Sequence, residues 1–274
     1  MPELPEVETV ANGVHARVHG QTIQSVWTSN KPQTFKSPPE RIAETLTGSR
    51  IERVHRVGKT IVVDLVRGGK ETQFLIHLGM TGRLLVSEGE VPLPPHTHAI
   101  LSLSGGRELR FVDARRFGRL SVLTPSEQEK GAYIGPGKEP LLIPLPEFVA
   151  LFRGRKTPIK AALLNQSLLH GVGNIYADEA LFRAGIRPKR QAARLTRAEL
   201  GRLREGLITV LTHAIELGGS SVSDYVDADG VRGFFQLEHR VYMRTGQPCL
   251  ICETPIRKIV IVGRSSHFCP VCQR

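Results

Sequence analysis

Gln247-Pro248-Cys249-Leu250-Ile251-Cys252 and His267-Phe268-Cys269-Pro270-Val271-Cys272 hold all four cysteines of the 274-residue chain, in the pattern C-x2-C-x16-C-x2-C. Each C-x2-C turn aims two thiolates at one point, and the 16 residues between the pairs can form two short strands. Four sulfur ligands leave no open position, so a zinc ion here is structural and its binding energy folds the hairpin. Iron–sulfur ligation and disulfides are the other readings of four cysteines. Stabilising disulfides tie distant segments, and these are clustered. The hairpin also carries Arg257, Lys258 and Arg264 around Ile259–Val262, cations suited to phosphate.

Outward from this ribbon, the chain divides by texture. Val7, Val10, Val14 and Val18 recur at helical spacing after Pro5 and Glu6, predicting a helix over about residues 5–18. Between Thr22 and Thr124 come short β-branched runs: Thr22–Trp27, Ile51–Val57, Thr60–Val66, Thr72–His77, Arg83–Val86, His98–Leu103, Glu108–Val112 and Arg119–Leu123. Gly68-Gly69 and Gly105-Gly106 mark hairpins, and the spacing predicts an antiparallel sandwich or barrel. Tyr133–Pro146 reads as a linker. Helical patterns follow at Phe148–Phe152, Ile159–Leu169, Ile175–Ala184 and Thr196–Leu217, the last with a Thr196/Glu199 capping box. Ser220–Phe235 reads as a long loop. The expectation is an α+β chain of several domains: an antiparallel β-sandwich with a flanking helix over 1–132, a linker over 133–146, helices over 147–238 and the metal hairpin over 239–274.

The net charge of +11 points to a polyanionic partner, because each neutralised phosphate releases counterions. No stretch approaches the roughly 20 apolar residues of a membrane helix. The acidic start lacks the basic and apolar regions of a secretory leader. At that start, Pro2 is the second chemical signal. Removal of Met1 turns it into a secondary α-amine, with a pKa near 7.7–8.0 for such groups, able to attack an aldehyde-level carbon and give an iminium ion. Glu3 stands beside it as a proton carrier. The bland alternative is that Pro2–Glu6 only opens a helix.

Pro2–Thr9 now joins His77-Leu78-Gly79-Met80-Thr81-Gly82, Asp113-Ala114-Arg115-Arg116-Phe117-Gly118 and Gly171-Val172-Gly173-Asn174-Ile175-Tyr176-Ala177. In this order, ahead of a four-cysteine finger, they closely resemble the bacterial formamidopyrimidine-DNA glycosylases, and the resemblance spans essentially the whole chain. It implies a helix–two-turn–helix module in the helical domain, DNA in the cleft between domains, and removal of oxidised purines followed by β,δ-elimination. Carried onto this sequence, Pro2 is the Schiff-base nucleophile and Glu3 its acid/base. Lys59 is the strand lysine that donates a proton in β-elimination, and Arg264 the finger arginine of δ-elimination. Glu6 matches a helix glutamate near the lesion pocket. Met80, Arg115 and Phe117 match the trio that fills the hole left by an extruded nucleotide. His77, His96, Lys156, Asn174, Tyr242 and Lys258 match DNA contacts. Cys249, Cys252, Cys269 and Cys272 hold one zinc.

The implied partner is duplex DNA with oxidised purines or abasic sites, bound by a monomer with no membrane association, in the bacterial cytoplasm at the nucleoid. Leu4 and the Met80/Arg115/Phe117 trio argue against the sister endonuclease VIII type, which acts on oxidised pyrimidines. Intact Pro2, Glu3 and Lys59 argue against a non-catalytic zinc-ribbon DNA-binding protein. Three positions depart from the family pattern: Ser223 replaces a common basic residue in the loop that closes over the everted base, and Met243 and Glu253 stand where glycine is common.

Overall fold

The computed structural model describes residues 1–124, 126–127, 137–222 and 225–274. It resolves into two compact units, Met1–Gly135 with Gly218–Phe234, and Pro136–Leu217 with Phe235–Arg274. Tyr133–Pro136, the start of the expected linker, and Ser223 lie outside the described residues.

The first unit opens with α1 (Leu4–Val18), whose Leu4, Val7, Val10, Ala11, Val14 and Val18 are all buried. Fully burying each valine or leucine stabilises by about 1.5–3 kcal/mol, so this stripe fixes the helix on the sheets. After β1 (Ile23–Thr28) comes α2 (Pro39–Leu46), a two-turn helix outside the sequence expectation. Pro38 and Pro39 open it. Pro39 sits at the first turn, where proline is tolerated, and Ile42 and Leu46 are buried.

The strands β2 (Arg50–Val57), β3 (Thr60–Arg67), β4 (Lys70–His77), β5 (Arg83–Glu88), β6 (Thr97–Leu103), β7 (Arg107–Val112) and β8 (Arg119–Leu123) complete two four-stranded antiparallel sheets. Their orders are β1-β6-β7-β5 and β2-β3-β4-β8. One core joins α1, α2 and both sheets. Tyr225 and Ala228 from the distant loop belong to that core, and the Ala228 carbonyl accepts the Val86 N–H at 3.0 Å. Arg17 pairs with Asp229. These contacts explain why a loop read as part of the helical region belongs to the β unit.

The second unit contains α3 (Leu145–Phe152), α4 (Ile159–Leu163), α5 (Asn174–Ala184) and α6 (Arg197–Glu216). Helix α4 stops well short of the expected Leu169. Asn165 accepts the Ser167 N–H on its own side-chain oxygen at 2.9 Å, and this local bond replaces the helical one. Helix α6 begins with the expected box: Thr196 Oγ1 accepts from Glu199 N at 3.2 Å, and Glu199 accepts from Thr196 N at 2.8 Å. Strands β9 (Arg257–Ile261) and β10 (Arg264–Phe268) form the terminal hairpin.

Candidate active site and nucleic-acid interface

Pro2 and Glu3 are buried at the head of α1, with Glu3 only 5% exposed. The Glu3 N–H donates to Glu6 Oε2 at 2.7 Å, half of a capping box that fixes the residue beside Pro2. Val57 pairs with Thr60, so Gly58 and Lys59 form the tight β2–β3 turn, with Gly58 at φ +61°. Arg56 anchors that turn. Its Nη1 donates to the Gly58 carbonyl at 3.2 Å, and its Nε donates to Glu8 on α1 at 2.6 Å. Opposite, Thr60 pairs with His77, so lysine and histidine sit at one end of the sheet. Burial holds the His77 pKa below its usual value, and the Lys59 and Arg119 charges add to the effect. A neutral His77 accepts the Gly79 N–H on Nδ1 at 3.1 Å.

Two loops of the same unit meet through Asp113, whose side chain is fully buried. Oδ1 accepts from the Thr81 hydroxyl at 2.5 Å and the Arg115 N–H at 3.3 Å, and Oδ2 accepts from the Gly118 N–H at 2.7 Å. Gly79 makes the approach possible, because a Cβ there would lie 2.5 Å from the backbone of Phe117 and Gly118. Held in this way, Met80 and Phe117 remain 41% and 48% exposed, and the Arg115 guanidinium lies 4.9 Å from the Phe117 ring centre. Apolar side chains that project from a fixed base suit a wedge better than a core. His96 is exposed at φ +66°, and its carbonyl accepts the Asp113 N–H at 3.0 Å.

In the second unit, Asn174 opens α5, where the helix dipole favours an anion. The preceding turn is held by Gln166, which donates to the Val172 carbonyl at 2.8 Å and accepts the Gly171 N–H at 3.0 Å. The Asn174 amide reaches Ser265 Oγ only at 3.4 Å, and its Oδ1 is buried without a hydrogen-bond partner. Turning the amide over gives the Ser265 hydroxyl an acceptor at that position.

Asp178, one turn along α5, binds Lys160 Nζ at 2.7 Å and both the backbone N–H and Nδ1 of His267 at 2.9 Å. This buried cluster seats β10 beside the α5 N-terminus. Lys258 pairs with His267 across the hairpin and Arg264 lies at its turn, both exposed. Tyr242 packs edge-on to His267, and its N–H is one of three consecutive donors to Glu179. Burial pushes the Glu179 carboxyl up despite those donors. Lys156 stands exposed just ahead of α4.

The sequence motifs gave Asp113, Asp178 and Lys160 no role. The available signal was a charge inside an otherwise apolar run, as in Ile175–Leu181.

The four cysteine Sγ atoms lie within 4.8 Å of one another, with pairs at 3.4 Å and 3.8 Å and no disulfide. A tetrahedral thiolate zinc site needs sulfurs roughly 3.8 Å apart, so the residues fit the metal. Two turns near the finger are strained. Met243 and Glu253, where the resembling family favours glycine, both adopt positive φ, +58° and +60°.

Comparison with known proteins covers nearly the whole chain. Residues 1–120 match the model of the formamidopyrimidine-DNA glycosylase N-terminal domain, and residues 137–226 that of its H2TH domain. Residues 246–274 match the zinc finger found in FPG and IleRS. The chain is 47% identical to the formamidopyrimidine-DNA glycosylase of Solibacter usitatus, over 100% of both chains. It is 44% identical to that of Thioalkalivibrio sulfidiphilus, again over 100% of both. Among solved structures, a Lactococcus lactis FPG variant bound to Fapy-dG-containing DNA superimposes with a TM-score of 0.91, at 33% identity over 100% of both chains. The FPG protein of Thermus thermophilus gives a TM-score of 0.86 at 42% identity, over 99% of this chain and 98% of that one.

Proposed function

The chain belongs to the formamidopyrimidine-DNA glycosylase family, and on that premise we propose which of its side chains carry each step of the reaction. It is a base-excision repair enzyme that removes oxidised purines from duplex DNA and cleaves the resulting abasic site. Its terminal finger holds one structural zinc on Cys249, Cys252, Cys269 and Cys272.

In our assignment, the Pro2 amine attacks C1′ of the damaged nucleotide. The C1′–N bond breaks, and the base departs with a proton. Glu3 supplies a proton to the opening sugar, leaving an iminium between Pro2 and C1′. The iminium acidifies the 2′ hydrogen, whose loss expels the 3′ phosphate; Lys59 protonates in this β-elimination. A second elimination, with Arg264 gripping the phosphate, expels the 5′ phosphate.

Met80 and Phe117 fill the vacated stack, and Arg115 bonds the orphaned base. Extrusion of a base costs a few kcal/mol, which such an insertion offsets in part. His77, His96, Lys156, Asn174, Tyr242 and Lys258 hold phosphates and carry no base information.

The observation that supports this scheme best is the buried Pro2–Glu3 head of α1, tied through Glu8 and Arg56 to the turn that carries Lys59. Duplexes with one defined lesion each test it. Excision of 8-oxoguanine and formamidopyrimidines opposite C supports the scheme, and preference for an oxidised pyrimidine overturns the substrate assignment. Among the described residues no helix is long and apolar enough to cross a membrane, and we place the enzyme in the bacterial cytoplasm at the nucleoid.

A further inference from the structure

Arg110, on β7, is 1% exposed and is the largest of the fully buried side chains among the described residues. Its neighbours Leu109 and Phe111 enter the core, so Arg110 points from the opposite face of the sheet. A guanidinium buried there needs partners, because an unpaired buried charge is strongly destabilising. They come from two directions. Glu108 Oε2 accepts from Nε and Nη2, both at 2.7 Å. The loop that joins β5 to β6 supplies backbone acceptors. Nη1 donates to the Pro92 carbonyl at 3.3 Å, and Nη2 to the Glu88 and Gly89 carbonyls at 3.4 Å and 3.5 Å.

That loop ends at His96. Leu93, Pro94 and Pro95 separate it from Pro92, and the fixed φ angles of two prolines make the segment stiff. Thr97 Oγ1 donates to the Pro94 carbonyl at 2.7 Å, and the Asp113 N–H donates to the His96 carbonyl at 3.0 Å. His96 itself sits at φ +66°, a left-handed conformation that a residue with a Cβ keeps only where its surroundings impose it. Its backbone is held at two points, by Asp113 directly and by Arg110 through the loop, while its side chain stays exposed.

We propose that Arg110 is a positioning residue for DNA binding: by gathering three loop carbonyls, it sets the His96 imidazole against one backbone phosphate. The proposal rests on His96 being a phosphate contact. Buried as it is, Arg110 acts on affinity through His96. Loss of the guanidinium frees Pro92 and the proline segment behind it. His96 then leaves the geometry that one phosphate oxygen requires, while the enzyme's other phosphate contacts persist.

The test uses a duplex with a stable tetrahydrofuran abasic-site analogue, in which phosphates are replaced one at a time by neutral methylphosphonate. With the parent enzyme, each contacted phosphate shows as a loss of affinity. His96→Ala weakens binding about three- to tenfold, the scale of one hydrogen bond, and one position of the scan falls silent. Arg110→Met keeps much of the side-chain length and removes every donor. It silences the same position and weakens binding to a similar degree. The double variant binds no worse than the poorer single variant, since both changes remove one contact. Arg110→Lys keeps a charge opposite Glu108 and donors for the loop. It reduces the contribution of that one phosphate without abolishing it, and it carries the comparison if urea unfolding shows that Arg110→Met does not fold.

Losses spread evenly over all contacted phosphates, or additive losses in the double variant, would show that Arg110 only supports the fold and would overturn the proposal. A full contribution of that phosphate in both Arg110 variants also overturns it. If His96→Ala silences no position, the reading of His96 fails instead, and the proposal falls with it.

Discussion

Replacing Asp113 by asparagine keeps the size of a fully buried side chain that joins two loops. Its carboxylate accepts three hydrogen bonds: from Thr81 and Arg115 on one oxygen, and from Gly118 on the other. In Asp113→Asn, one oxygen becomes an NH2 group. Whichever way the amide turns, at least one buried donor faces another donor. Losing one charge-assisted bond costs about 1.5–3 kcal/mol, and Asp113→Ala, which loses all three, costs about 3–5 kcal/mol, near the limit for single substitutions. Urea unfolding measures this loss. The functional consequence follows because Met80 lies on one loop and Arg115 and Phe117 on the other. If about 1.4 kcal/mol of the loss appears as loop disorder when the base is extruded, 8-oxoguanine excision falls about tenfold. Abasic cleavage, which extrudes no base, falls less. A variant destabilised as calculated that excises at the parental rate would refute the reasoning, because it would show that the wedge does not need its two loops in register.

Phe117→Ala leaves unfolding within about 0.5 kcal/mol of the parent, as befits a half-exposed side chain, yet lowers excision from intact duplex more than cleavage of an abasic site. Equal losses on both substrates would return Phe117 to a general packing role. Cys269→Ser, or zinc removal by a chelator, abolishes DNA binding while circular dichroism retains the β signal of the first unit; full affinity in the zinc-free protein contradicts this. His239 supplies a pH test, since burial, with the His267 charge adding to it, holds its pKa down to about 4 despite an opposing bond at Tyr242. The unfolded chain therefore binds a proton at pH values where the native one does not. The contribution of His239 to stability is full above about pH 6.5 and is lost, by up to about 3 kcal/mol, as pH falls toward 4. His239→Phe flattens that slope in urea titrations, and an unchanged slope excludes His239 as its source.

Much of this protein is legible in its residues because local rules decide it. The valine stripe of α1, the Thr196–Glu199 box and the C-x2-C turns each lie within one element, and each appears in the structure. What escaped depends on long-range pairing. Helix α4 ends early because Asn165 captures a backbone N–H, which periodicity does not register. The 218–234 loop joins the β unit because Glu6 and Tyr225 draw it there, across most of the chain length. Asp178 and Lys160 look like surface charges on helices until β10 is packed over them. Glycines that permit close approach, such as Gly79 and Gly219, show their purpose only when the opposing backbone is in place.

Everything proposed for the chemistry depends on Pro2 being the attacking amine. Borohydride reduction during reaction with 8-oxoguanine duplex freezes the iminium as a stable amine, and mass spectrometry of the digested adduct locates it. The expected adduct is a protein that begins at Pro2, with the sugar joined to that residue's nitrogen. An adduct on Lys59, or excision and strand cleavage with no adduct at all, would contradict it.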